Sequence, residues 1–108
     1  MTLKEDSKPA EDWLVYMIEA SDTRLYTGIT NNMPKRWHAH TNTKQGAKFF
    51  RGRAPKRVQF IEAEHTRSSA SKREYVIKQL TRAEKLRLIN QQGIDWHQRL
   101  ALPTAIEP

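Results

Sequence analysis

Two short apolar runs, each carrying a tyrosine and separated by a turn, commit the first third of the chain to a β-hairpin. Trp13-Leu14-Val15-Tyr16-Met17-Ile18 is rich in strand formers, Ala20-Ser21-Asp22 is turn-prone, and Arg24-Leu25-Tyr26-Thr27-Gly28-Ile29-Thr30 returns as the partner. Side chains alternate faces with period two, so loop length decides where the tyrosines lie. An odd-length loop places Tyr16 opposite Tyr26, with both phenols on one face; an even one separates them. A loop of three or five residues suits the sequence between Glu19 and Arg24.

The remaining chain alternates helix and strand signals. Asn32 is placed to cap a helix, Pro34 is tolerated in its first turn, and Met33, Arg36, Trp37 and His40 share one stripe until the helix fades near Thr43. Lys44 to Arg53 holds two glycines and reads as a basic loop closed by Pro55, and Lys56–Ala63 as a third strand. Ser68 or Ser69 is positioned to cap a second helix running to Leu80, and Thr81-Arg82-Ala83-Glu84 forms a capping box for a third, ended by Gly93. The order β-β-α-β-α-α predicts a small α+β domain, a short sheet with helices packed on it. We expect a loose arm over 1–12, a folded unit over 13–92 and a weakly fixed tail over 93–108, with Ile94 and Trp96 able to dock.

At 108 residues the chain has room for one domain. It has no cysteine, which removes disulfides, thiolate nucleophiles and cysteine-ligated metals. Its apolar runs fall far short of the roughly 18 residues that span a bilayer, so we expect a soluble, cytoplasmic protein. The formal net charge is +7, and it is sorted along the chain. Thr23 to Ile61 contains no acid, yet it carries Arg24, Lys35, Arg36, Lys44, Lys48, Arg51, Arg53, Lys56 and Arg57. Such a field recruits polyanions, and nucleic acid is the expected partner, favoured over a merely solvated basic surface.

Few residues are placed to carry chemistry. An arginine in the half-buried Met33–His40 stripe calls for a partner or an incoming phosphate, although it could instead stack on Trp37. Glu74 lies at the rim of an apolar face made by Ala70, Val76, Ile77 and Leu80. There it is either the i, i+4 partner of Lys78 or an oxygen ligand for a hard divalent cation. No acids stand at two-metal spacing, no His–Asp pair supports a serine triad, and no glycine-rich nucleotide motif is present.

Leu14-Val15-Tyr16 followed by Tyr26-Thr27-Gly28 resembles the two-part signature of the GIY-YIG nuclease superfamily. The resemblance continues through Arg36 and His40, the loop Gly46-Ala47-Lys48 with Arg51 and Gly52, and Arg73-Glu74. It covers nearly all of residues 13–92 and is strongest to the small stand-alone bacterial members, the YhbQ-like (UPF0213-type) proteins. Leu14 and Val15 replace the glycine and isoleucine of the first triplet. The late asparagine of many members has no counterpart, since position 86 is Leu86 and Asn90 lies too far along.

The resemblance implies a three-stranded antiparallel sheet flanked by helices and a single-metal DNA endonuclease, with a role in repair or processing. It assigns Tyr16 and Tyr26 as the signature tyrosines, Arg36 to the scissile phosphate, His40 to a histidine of part of the superfamily, and Glu74 to Mg²⁺ or Mn²⁺. One of the tyrosines, its phenol pKa lowered from about 10 by nearby cations, would help deprotonate the attacking water. Lys44, Lys48, Arg51 and Arg53 are expected to grip the phosphate backbone without reading bases. The competing readings are a non-catalytic nucleic-acid-binding module and a structural or ribosome-associated basic protein; the latter leaves the tyrosine pair unexplained.

Overall fold

The structure, a computed structural model, describes residues 10–42 and 45–104. Strands β1 (Trp13–Ala20), β2 (Leu25–Thr30) and β3 (Pro55–His65) form one antiparallel sheet in the order β2-β1-β3. Helix α1 (Met33–Asn42) follows β2. A single 3₁₀ turn (Lys48–Phe50) precedes β3, and α2 (Arg67–Lys78), α3 (Arg82–Gln92) and the one-turn α4 (Trp96–Arg99) complete the fold. The α+β class and the three-stranded antiparallel sheet are as expected. The arm over 1–9 lies outside the described residues, as does Lys44; residues 10–12 are exposed and irregular.

The central strand explains the pattern of the core. Both faces of β1 are covered, so it reads as an unbroken apolar run rather than an alternating one. Tyr16 and Ile18 point to one side, where they pack with Val58, Ile61 and the α1 residues Met33 and Trp37. Val15 and Met17 point to the other and meet Phe60 with Ala70 and Ile77 of α2, backed by Leu80, Leu88 and Ile89. Val76, assigned from the sequence to this apolar face, is exposed on the outside of α2.

The caps follow local chemistry. Asn32 Oδ1 accepts the Lys35 amide at 3.1 Å, closing the start of α1. The expected box opens α3, with Thr81 Oγ1 accepting the Glu84 amide and Glu84 Oε1 accepting that of Thr81. Gly93 ends α3 in the left-handed conformation, at φ 62°. The cap of α2 is Thr66 rather than Ser68 or Ser69, because Thr66 holds extended backbone and its hydroxyl accepts the Ser69 amide at 3.0 Å. Ser69 is the reciprocal partner in that box.

Within the described residues, the segment after Gly93 makes contacts with the fold as far as Pro103. The buried Trp37 indole donates to the Pro103 carbonyl at 2.9 Å. His97 Nδ1 accepts the Val58 amide from β3, and its Nε2 lies 3.2 Å from the same Pro103 oxygen. Trp96, Leu100 and Leu102 then pack on the Tyr16 side of the core. The docking of Trp96 was anticipated from the sequence, but a one-turn helix leaves no periodicity from which to read the contacts of His97, Leu100, Leu102 and Pro103.

The hairpin loop is Ser21 to Thr23, three residues, with the Ala20 amide bonded to the Arg24 carbonyl at 2.8 Å. Its last residue, Thr23, sits at φ 72°. A β-branched side chain is strained in the left-handed region, whereas glycine is not. Thr23→Gly is therefore expected to stabilise the protein by about 1 kcal/mol in urea unfolding; a loss of stability would contradict this reading of the turn.

Candidate active site

The odd loop does put both tyrosines on one face, but they stand diagonally rather than opposite. Tyr16 pairs with Gly28, and Tyr26 pairs with Ile18. The turn is made by residues 21–23, which sets the register two positions away from direct opposition. The offset creates the site, because Gly28 leaves open the space facing Tyr16. A Cβ at Gly28 would lie 2.5 Å from the Tyr16 phenol oxygen and 3.0 Å from the Tyr26 ring. The Tyr16 and Tyr26 ring centroids are 6.2 Å apart.

Helix α1 adds the next layer. Its stripe buries Met33, Trp37 and His40 and leaves Arg36 half-buried. His40 reaches the strand tyrosine, with Nε2 2.7 Å from the Tyr16 phenol oxygen. Its Nδ1 accepts the Ala47 amide at 3.1 Å. That amide is an obligatory donor, so Nδ1 carries no proton and the network assigns the imidazole proton to Nε2. Tyr16 therefore accepts from His40 and keeps its own hydroxyl proton for another acceptor. Burial, and secondarily the charge of Arg36, pushes the His40 pKa down to about 4, so the ring is neutral at physiological pH.

Tyr16 behaves opposite to the expectation of a phenol acidified by cations. Burial dominates and raises its pKa well above the usual phenol range; Tyr26 and the Glu74 carboxylate push it the same way. A hydrogen bond and the charge from Arg36 oppose this without overcoming it. The ionisation of this one phenol is thus linked to Arg36 of α1 and, most weakly, to Glu74 of α2. The Arg36 guanidinium also donates to the Gln45 carbonyl at 3.2 Å, anchoring it to the loop.

Glu74 sits on α2 with its side chain 22% exposed, and Lys78 Nζ lies 3.1 Å from its Oε2. The ion pair read from sequence is thus present, and its lysine ammonium stands 6.0 Å from the centre of the Tyr26 ring. Among the described residues no three of histidine, aspartate and glutamate converge. The donor set is one carboxylate, which fits a hard ion such as Mg²⁺ that keeps waters and takes further oxygens from substrate phosphates.

The loop after α1 is not a free basic string. Phe50 packs against the core, and both Phe49 and Phe50 lie 5.3 Å from the Tyr26 ring. Arg53 stacks on Phe49 at 4.5 Å, donates to the Phe49 carbonyl and pairs with Asp22 at 2.9 Å. Lys48 and Arg51 are the expected phosphate-gripping side chains that stand exposed. The sequence reading missed the two phenylalanines, whose signal was an apolar pair inside a charged segment. It also missed a chain from Ser69 through His65 to Glu62, which Arg73 joins at 3.0 Å. The Ser69 hydroxyl there also accepts the Thr66 amide, so the chain braces the start of α2.

Residues 12–87 match the family model described as the GIY-YIG catalytic domain. The chain belongs to the GIY-YIG nuclease family. It is 42% identical over 85 residues to UPF0213 protein DP2720 of Desulfotalea psychrophila, covering 79% of this chain and 76% of that one. It is 46% identical over 80 residues to UPF0213 protein CPE1444 of Clostridium perfringens, covering 74% and 85%. Among solved structures it resembles the solution NMR structure of UPF0213 protein BH0048 from Bacillus halodurans, with TM-score 0.51 and 33% identity, covering 85% of this chain and 97% of that chain. No helix among the described residues is long and apolar enough to cross a membrane.

Gly28→Ala is expected to push the Tyr16 phenol away from His40. Overpacking of this kind costs about 1–3 kcal/mol, read by urea unfolding. Unchanged stability would mean that the site does not depend on this close approach.

Proposed function

We propose that the protein is a divalent-metal-dependent DNA endonuclease that hydrolyses phosphodiester bonds through one metal ion. The observation that carries this reading is the buried Tyr16–His40 pair, bonded at 2.7 Å, whose phenol feels both the Arg36 guanidinium and the Glu74 carboxylate. Binding a polyanion needs positive charge, and a half-buried carboxylate that acts on the same phenol as Arg36 works against it.

In this reading Arg36 holds the scissile phosphate, fixed in place by its bond to the Gln45 carbonyl. Tyr16, once its phenol has given its own proton to solvent hydroxide, is the group that takes the proton from the attacking water, and Tyr26 walls the site against the Phe49-Phe50 turn. The Tyr16 phenolate that proton transfer requires has two donors waiting, His40 Nε2–H and Arg36, so its charge is met by preorganised groups. His40 holds the phenol and does not itself accept the proton, because its free lone pair is already taken by the Ala47 amide. Glu74 would hold Mg²⁺ or Mn²⁺, which when bound stabilises the leaving 3′-oxygen and cancels the carboxylate charge that disfavours Tyr16 ionisation. Exposed Lys48 and Arg51 supply sequence-independent attraction, which weakens steeply with salt.

Nicking and cleavage of plasmid, branched and single-stranded DNA with Mg²⁺ or Mn²⁺ tests the proposal. Glu74→Gln is expected to lower cleavage by at least about 100-fold and leave DNA affinity within about twofold, and Arg36→Ala to lower turnover more than binding. The rate should climb with pH between about 7 and 9, because a phenol held above its ordinary pKa is mostly protonated there. Wild-type cleavage by Glu74→Gln would overturn the single-metal mechanism. Tight DNA binding with no cleavage of any substrate would favour a non-catalytic binding module.

A further inference from the structure

Glu74, the proposed metal ligand, is already paired with Lys78, a cation to which the proposed chemistry gives no role. Lys78 Nζ lies 3.1 Å from Glu74 Oε2, with the lysine side chain 48% exposed and the carboxylate 22% exposed. Lys78 is the last residue of α2, where the negative end of the helix dipole favours a cation. A glutamate four residues before a lysine is the better orientation for such a pair. The ammonium also stands 6.0 Å from the centre of the Tyr26 ring, on the tyrosine side of the helix. Among the described residues, Lys78 is the ion-pair partner that Glu74 has.

We infer that Lys78 is a resident counter-cation on Glu74, which a divalent ion must displace before the site is loaded. The inference rests on the reading of Glu74 as the metal ligand. A half-buried carboxylate needs a positive partner, and an ammonium and a hard divalent ion seek the same oxygens. They repel one another at contact range, so the two occupants are alternatives. Lys78 is suited to leave: its stem is long and half-exposed, and among the described residues the ion pair with Glu74 is what holds its head. The cost of moving it falls on metal affinity, so the helix that supplies the ligand also supplies a brake on metal loading. With metal scarce, Glu74 stays neutralised and the protein binds nucleic acid without being armed.

The test is Mn²⁺ affinity of the free protein, measured by electron paramagnetic resonance of unbound Mn²⁺. Lys78→Met and Lys78→Gln, both at a half-exposed position, should tighten Mn²⁺ binding by about three- to tenfold, the effect of removing one partly screened charge next to the ligand. Lys78→Arg keeps the charge and should stay close to wild type. Lys72→Gln removes the same charge elsewhere on α2 and should change affinity by less than about twofold. Equal or weaker Mn²⁺ binding by both Lys78→Met and Lys78→Gln overturns the inference, as does equal tightening by Lys72→Gln. If adding Glu74→Gln leaves Mn²⁺ affinity unchanged in both the wild-type and Lys78→Met backgrounds, the metal-ligand reading of Glu74 fails, and the inference with it.

Discussion

A single buried hydrogen bond, 2.7 Å from His40 Nε2 to the Tyr16 phenol oxygen, joins the central strand to the helix that carries Arg36. Its direction is set from elsewhere. The Ala47 amide occupies Nδ1, so the loop after α1 determines which ring nitrogen holds the proton. Two glycines make the approach possible. Gly28 leaves room for the phenol, and a Cβ at Gly46 would lie 2.7 Å from the His40 Cα and 2.8 Å from the Ala39 carbonyl oxygen. Strand, helix and loop are therefore positioned together, and no one of them shifts without disturbing the tyrosine.

The electrostatics follow from that packing. Burial holds Tyr16 protonated and His40 neutral in the free protein, and the Arg36 charge adds to the second effect while opposing the first. The buried phenol and imidazole are thus at rest in their neutral forms, while Arg36 and the Glu74–Lys78 pair are more exposed. The long acid-free segment is only partly available to a polyanion. Arg53 is spent on Asp22 and Phe49, and Arg57 pairs with Asp95 at 2.6 Å.

Features set by neighbouring residues were readable from the chain, and those set across it were not. The hairpin, the Asn32 cap, the Thr81–Glu84 box and the Gly93 stop each depend on a few consecutive side chains. The Met33–His40 stripe and the Glu74 rim followed from helical spacing. The diagonal offset of the tyrosines turns on which three residues form the loop, and a strained Thr23 is no signal for that choice. The Arg53–Asp22 pair spans 31 positions and the Trp37–Pro103 bond 66, so neither leaves a local pattern. The direction of the Tyr16 shift was missed because nearby cations are visible in a sequence, while the burial that outweighs them is not.

The most direct measurement is nitrogen-15 NMR of the His40 imidazole, assigned by comparison with His40→Gln and followed from pH 8 downwards. Both ring nitrogens report the tautomer and the titration. The expected result is a neutral ring with its proton on Nε2 and a bare Nδ1, titrating only near pH 4. A proton on Nδ1, or titration at the ordinary histidine value near 6.5, would contradict the Ala47–His40–Tyr16 relay on which this reading of the site rests.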